Sequence, residues 1–177
     1  MVRAEYALPF CGLPARISQG YHGPWSHKLI RKNTDQSYSL DFALPIGTDI
    51  LAARDGTLRF FYDSIKSYYL GMDFENGSKS LANMIEIKHD GGVSTCYQHI
   101  QKGSISALGL KAGSYVRRGQ VIGKTGLSGW IGNTPHLHFM AYVRGQEDID
   151  GNIMRVMRTE PVSFVDYEGP LEHCDLK

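Results

Sequence analysis

The segment TPHLHF (134–139) places a histidine on each side of one leucine inside an apolar run. In a β-strand successive side chains point to opposite faces, so His136 and His138 project together while Leu137 and Phe139 pack behind them. Two imidazoles side by side suit metal ligation, proton transfer, or one of each. Two other segments carry the same kind of signal. In SLDFALPIGT (39–48), Asp41 stands between Leu40 and Phe42, and a carboxylate between two inward-facing apolar residues needs a partner such as a metal, an arginine or a cap. In CYQHI (96–100), strand periodicity puts Tyr97 and His99 on one face and Cys96, Gln98 and Ile100 on the other. Gathered into one groove, Asp41, His99, His136 and His138 make one acid and three histidines. That set suits a divalent zinc site better than any other common chemistry.

Neighbouring motifs point away from other chemistries. GQVIGKT (119–125) holds three residues between Gly119 and Gly123 where a phosphate-binding loop needs four, so it reads as strand and turn. There is no H-E-x-x-H, and GLSGW lacks the second spacer of a G-x-S-x-G nucleophile elbow. Cys11, Cys96 and Cys174 are widely spaced, with no C-x-x-C, and form neither a disulfide framework nor a cysteine zinc site. Cys96 lies in an alternating apolar stretch and reads as a small core residue. His89, in the HDGG turn, and His173, in the tail, read as structural or exposed.

The elements that must position these residues are short strands. Residues 1–36 are loop-like, broken by Gly12, Pro14, Gly20, Gly23 and Pro24. Strand signals follow at 37–44, at 49–63 as strand, Asp-Gly turn and strand, and at 82–100 as a hairpin about HDGG. Residues 64–81 form a polar excursion, and 104–110 carry one short helical turn. Residues 114–126 read as strand, tight turn and strand, and 135–145 form the last strong strand, fading into a short strand and a tail. The segments 47–56 and 113–123 echo one another as strand–turn units. The expectation is an all-β, mainly antiparallel sandwich or barrel in a single domain spanning 1–177, with its core at about 20–145, an N-terminal extension at 1–19 and a C-terminal strand and tail at 146–177.

The chain has 177 residues, 42% hydrophobic and 21% charged, with formal net charge +1. That length buries a real core, and the charge points to neither nucleic acid nor an anionic membrane surface. No apolar run reaches the ~18–20 residues that span a bilayer, and no signal peptide is visible in MVRAEYALPF.

Four blocks in order, DFALPIGTDILAARDGTL, NMIEIKHDGGVSTCYQHI, AGSYVRRGQVIGKTGLSGW and TPHLHF, resemble the lysostaphin-type, or LytM-type, zinc metallopeptidases that cut peptide bonds of bacterial cell walls. The resemblance covers roughly residues 20–140. It implies an antiparallel sheet flooring a groove, and one Zn2+ held by a histidine, an aspartate and the second histidine of H-x-H. Asp41 and His138 match two of these ligands, while His136 and His99 match the catalytic pair flanking the reacting water, with Tyr97 either an extra donor or a packed core residue. One position departs from the pattern. Many members place the first ligand four residues before the aspartate, where this chain has Ser37. A subgroup carries Ser-His further upstream, and GPWSHKLIRKNTDQSYSLDF resembles that version with a longer connector. His27 is therefore the expected first ligand, with His22 as the fallback.

The resemblance implies a zinc endopeptidase acting on peptidoglycan stems or cross-bridges, as a monomer in the periplasm or cell wall. The chain is then expected to be a mature fragment with an added Met1, and any activator or inhibitory domain to lie outside it. The competing expectation is a zinc-free member that has become a binding module for other wall enzymes. A biotinyl- or lipoyl-type carrier fits less well, because no lysine sits at a hairpin tip.

Overall fold

A computed structural model of the protein describes residues 5–13, 15–71, 79 and 81–166. His173 and Cys174, with the sequence expectations attached to them, lie outside the described residues, as do Pro14 and residues 72–78 and 80 of the 64–81 excursion. The strands are β1 (Glu5–Tyr6), β2 (Arg16–Gln19), β3 (Leu29–Arg31), β4 (Thr34–Asp35), β5 (Leu40–Ala43), β6 (Asp49–Leu51), β7 (Gly56–Tyr62), β8 (Tyr68–Leu70), β9 (Met84–Lys88), β10 (Val93–Gln98), β11 (Tyr115–Val116), β12 (Val121–Lys124), β13 (Gly129–Gly132), β14 (His136–Ile149), β15 (Asn152–Glu160) and β16 (Ser163–Phe164). One 3-10 turn, Ser106–Leu108, is the helical turn expected at 104–110. Among the described residues the fold is all-β and mainly antiparallel, and no helix is long and apolar enough to cross a membrane.

The principal sheet runs β11-β7-β9-β10-β14-β15-β4-β3, with β5 joined to the first half of β14 and β2 to β5. Its core face follows from alternation. Leu137 and Phe139 of β14, Leu40 and Phe42 of β5, Tyr97 of β10 and Ile85 and Ile87 of β9 are all buried in one apolar cluster. Phe139 meets Tyr97 edge-on at 5.3 Å between ring centroids, a geometry that aromatic pairs favour. The opposite face carries the intervening residues. At one end these are Asp41, His136 and His138. Further along the strands a smaller cluster of Cys96, Met140 and Tyr142 packs with Met84 and Met157.

The hairpin at 82–100 forms as the alternation predicts, β9 pairing β10 across a turn in which Gly91 and Gly92 both take φ 84°. Four expectations need correction. First, residues 16–19 are neither loop nor extension: β2 is a buried strand of the main sheet, Gln19 paired with Asp41. Second, the two strands at 49–63 do not form a hairpin, since β6 pairs β12 and β7 pairs β9 and β11. Gly56 of the Asp-Gly signal has no positive φ. It is needed for close approach, because a Cβ there would lie 2.5 Å from the Lys88 carbonyl oxygen. Third, the chain does not fade after 145. β14 and β15 pair through Ile149↔Asn152 around an Asp150-Gly151 turn with φ 54° and 79°, a two-residue hairpin turn of the left-handed kind. Fourth, the excursion at 64–81 contains β8, which pairs in parallel with β13. The echoing segments 47–56 and 113–123 contribute β6 and β12, which pair with each other.

Candidate metal centre

His138 and Asp41 sit directly opposite one another where β14 pairs with β5, and His136 lies opposite Ala43 two residues away. The register therefore delivers a carboxylate and two imidazoles to one face, as the i, i+2 spacing requires. His99 arrives by a different route. Tyr97 faces the core and its hydroxyl accepts from the Ala53 amide at 2.8 Å, so the expectation that Tyr97 and His99 share a face is wrong, and Tyr97 is a core residue. Just past the end of β10, His99 takes φ 66°, and this left-handed residue turns its ring to the polar face. There it stacks edge-on to His136 at 4.6 Å, with His138 6.1 Å away. A non-glycine residue in this region carries backbone strain of about 1–3 kcal/mol that the surroundings must offset. The Gly126 amide donates to the His99 carbonyl at 2.7 Å, and the His99 Nδ1–H donates to the Ser128 carbonyl at 2.8 Å. Ser128 is fixed in turn by the Asn83 amide, which donates to its Oγ, and by its own bond to the Ile100 carbonyl.

The first ligand expected upstream is brought in from a loop. His27 is fully buried, its ring 5.3 Å from that of His138. Its Nδ1 donates to the Gly20 carbonyl at 2.8 Å, which leaves Nε2 with a lone pair, aimed at Asp41 Oδ1 3.2 Å away. Two acceptors then face each other inside the protein, and only a cation between them, a metal or a proton, makes that arrangement favourable. His27 Nε2 and His138 Nε2 are buried with no hydrogen-bond partner. His138 Nδ1 lies 2.8 Å from the same carboxylate oxygen. One ligand atom from each of His27, Asp41 and His138 falls within 4.8 Å of the others. Donors about 2.0–2.1 Å from a tetrahedral zinc stand about 3.3 Å apart, so the residues present fit such an ion.

His22, the fallback, is exposed and packs its ring against Tyr38 instead. Ser37 is turned away, its amide and hydroxyl both bonded to the Asp35 carboxylate. His89 is a buried structural residue. Its Nδ1 donates to the Asp55 carbonyl and its Nε2 pairs with Thr95 Oγ1.

The electrostatics follow from burial and crowding. Burial raises the Asp41 carboxyl, but the facing imidazoles of His27, His136 and His138 outweigh it and hold the group well below the usual carboxylate range. Burial lowers His99 to about 3, with His136 and His138 pushing the same way against the Ser128 carbonyl. Burial also lowers His138, opposed by Asp41. His136 donates Nδ1–H to the Thr134 carbonyl at 2.8 Å, so its Nε2, 3.8 Å from Asp41 Oδ1, carries a lone pair, as does that of His99.

Sequence reasoning missed the residues that hold these groups: Gln19, Gly20, Asn83 and Ser128. None is marked by alternation or by a chemical motif.

A buried N, N, O donor triad with two lone-pair imidazoles beside it, on the polar face of an antiparallel sheet, defines the class: a candidate mononuclear metal centre with proton acceptors at hand. Residues 35–150 match Peptidase family M23, and the chain belongs to that family. The match begins beyond His27, so the placement of that residue rests on the geometry above. The chain is 34% identical over 108 residues to the DD-carboxypeptidase/endopeptidase Mpg of Neisseria meningitidis serogroup B, covering 60% of this chain and 20% of that protein. It is 30% identical over 131 residues to the peptidoglycan DD-endopeptidase ShyA of Vibrio cholerae serotype O1, covering 74% and 26%. The chain thus spans about a fifth to a quarter of the length of these relatives. A zinc-containing peptidase from Vibrio cholerae shares the fold with a TM-score of 0.53 at 21% identity, covering 90% of this chain and 41% of that one.

Proposed function

We propose that this chain is a zinc-dependent endopeptidase that hydrolyses peptide cross-links of bacterial peptidoglycan. It works as a single monomeric domain in the periplasm or cell wall. The observation that carries this reading is the convergence of five side chains from four separate segments: a buried triad of His27, Asp41 and His138, with His99 and His136 beside it. Relatives named as DD-endopeptidases support the substrate class.

His27 through Nε2, Asp41 through Oδ1 and His138 through Nδ1 would hold the ion. Zinc bound by three protein ligands supplies Lewis acidity, polarising a carbonyl and bringing the pKa of a water from about 16 towards 7. The remaining work falls to the chain's own residues. His99 and His136 are each fixed by a backbone carbonyl in the tautomer whose Nε2 accepts a proton. Their role is to take the proton from the attacking water, return it to the leaving amine, and donate a hydrogen bond to the developing oxyanion once protonated. Burial keeps His99 uncharged at neutral pH. The core packed behind Leu137 and Phe139 seats β14 and with it His136, while the Ser128 carbonyl holds the His99 ring.

Digestion of purified sacculi tests the reading, with the chain as isolated, after chelation and after return of zinc, the released fragments being identified by mass. Cleavage abolished by chelation and restored by zinc is expected. A chain that holds no zinc and cuts nothing refutes the proposal in favour of a zinc-free binding module.

A further inference from the structure

A ligand on a strand is placed by the register of the sheet, but His27 sits on a loop, and something else must place it. We infer that Gln19 is the positioning residue of the metal centre, setting its affinity by holding Asp41 and the His27 loop in one orientation. The inference rests on the metal-binding reading above. Gln19 is 4% exposed, at the end of β2, opposite Asp41. Its amide nitrogen donates to Asp41 Oδ2 at 2.9 Å and to Ser26 Oγ at 3.0 Å. Its amide oxygen accepts from the Trp25 amide at 3.1 Å and the Ser26 amide at 3.3 Å. A glutamine side chain has two donor hydrogens and two acceptor lone pairs, and here all four are used.

Each bond does a separate job. The bond to Oδ2 fixes the rotation of the Asp41 carboxylate, so that Oδ1 is the oxygen turned to His27 and His138. The bonds to residues 25 and 26 anchor the backbone immediately before His27, and the next residue, Gly20, receives the His27 Nδ1–H. Residues 19 and 20 together therefore orient two of the three donors. The loop is shaped around this side chain: a Cβ on Gly23 would come within 2.3 Å of Gln19 Cγ, so glycine is required there. Partners of this kind around a metal ligand are worth roughly 10–100-fold in metal affinity.

The test uses the full chain stripped of metal and titrated with zinc against a chromogenic chelator. Gln19→Met keeps the length and removes all four bonds. Gln19→Glu keeps the acceptor towards residues 25 and 26 and sets a carboxylate against Asp41. Both variants are expected to bind one zinc about 10–100-fold more weakly than the unmodified chain. The visible absorption of the cobalt-loaded chain should shift in both, reporting a changed ligand geometry. Asp41→Ala should bind no zinc stoichiometrically. Zinc affinity and cobalt spectra unchanged in the folded Gln19 variants overturn the inference and leave the metal reading standing. No zinc bound by the unmodified chain overturns the metal reading and this inference with it. A variant that is unfolded in chelator is set aside in favour of the other, and unfolding of both assigns Gln19 to the architecture of the sheet and overturns the positioning role.

Discussion

Replacing His27 with alanine, beside the same change at His22, tests the proposed loop ligand against its exposed neighbour. The proposed donor triangle has edges of 3.2 Å from His27 Nε2 and 2.8 Å from His138 Nδ1 to Asp41 Oδ1, so His27 would supply one of three donors to a shared centre. An ion that binds the folded chain alone stabilises it by about 2.7 kcal/mol at a concentration one hundred times Kd. For a chain of this size each kcal/mol moves Tm by about 2–4 °C, so zinc should raise Tm by about 5–11 °C. Loss of a ligand should cost at least as much as loss of its supporting partners, roughly 100-fold. Zinc at that same concentration then only equals Kd, and the gain falls to about 0.4 kcal/mol, or about 1–2 °C. Alanine at a fully buried site also opens a cavity and frees the Gly20 carbonyl, which lowers Tm with or without metal. The quantity to compare is therefore the difference between zinc-loaded and chelated Tm in each variant, followed by scanning calorimetry. His22→Ala should keep the full gain. A gain that survives in His27→Ala, or vanishes in His22→Ala, refutes the assignment.

His99→Ala and His136→Ala should each retain one zinc after dialysis and lose about 10²–10⁴-fold in sacculus cleavage; zinc lost together with activity would show that the pair are ligands instead. The Cys96 thiol is pushed far up by burial and the nearby Glu86, so in the folded chain a thiol reagent should modify exposed Cys11 and leave Cys96 untouched until denaturant is added, as peptide mapping would report. Burial lowers His89 below its usual 6.5, so the unfolded chain binds the extra proton. Stability from this residue is then complete above about pH 6.5 and is lost as pH falls through it, and the urea midpoint of His89→Gln should decline less from pH 7.5 to 5.5 than that of the unmodified chain. Gly56→Ala places a methyl 2.5 Å from the Lys88 carbonyl and 2.7 Å from the His89 ring; it should cost about 1–3 kcal/mol in urea unfolding, and an unchanged midpoint would contradict the close approach of β7 and β9.

The donors carried on regular strands were legible in the sequence because one rule, alternation, fixes both their burial and their face. Asp41 between Leu40 and Phe42, and His136 and His138 about Leu137, needed nothing more. His99 was found as a residue but placed by the wrong rule: the same periodicity puts it with Tyr97 in the core, and one left-handed backbone angle reverses it. Gln19 could not be read at all, because its partner lies 22 residues away and four residues of strand before a glycine give alternation too little length to register. The Asp-Gly pairs at 55–56 and 150–151 make the same point. The two look alike in sequence, yet one glycine serves close packing and the other a hairpin turn, and only the pairing of distant strands decides which.

The thirteen residues between His27 and Asp41 include a small ribbon, β3 with β4, attached to the outer edge of the sheet alongside β15. Both proposed ligands have ties outside it: Asp41 pairs with β14, and His27 is bonded back to Gly20. A change in the length of the ribbon would leave both of these ties in place. Ligand spacing along the chain is then no invariant of this architecture. A pattern search that demands a fixed interval between the histidine and the aspartate would discard chains whose centres superpose in space.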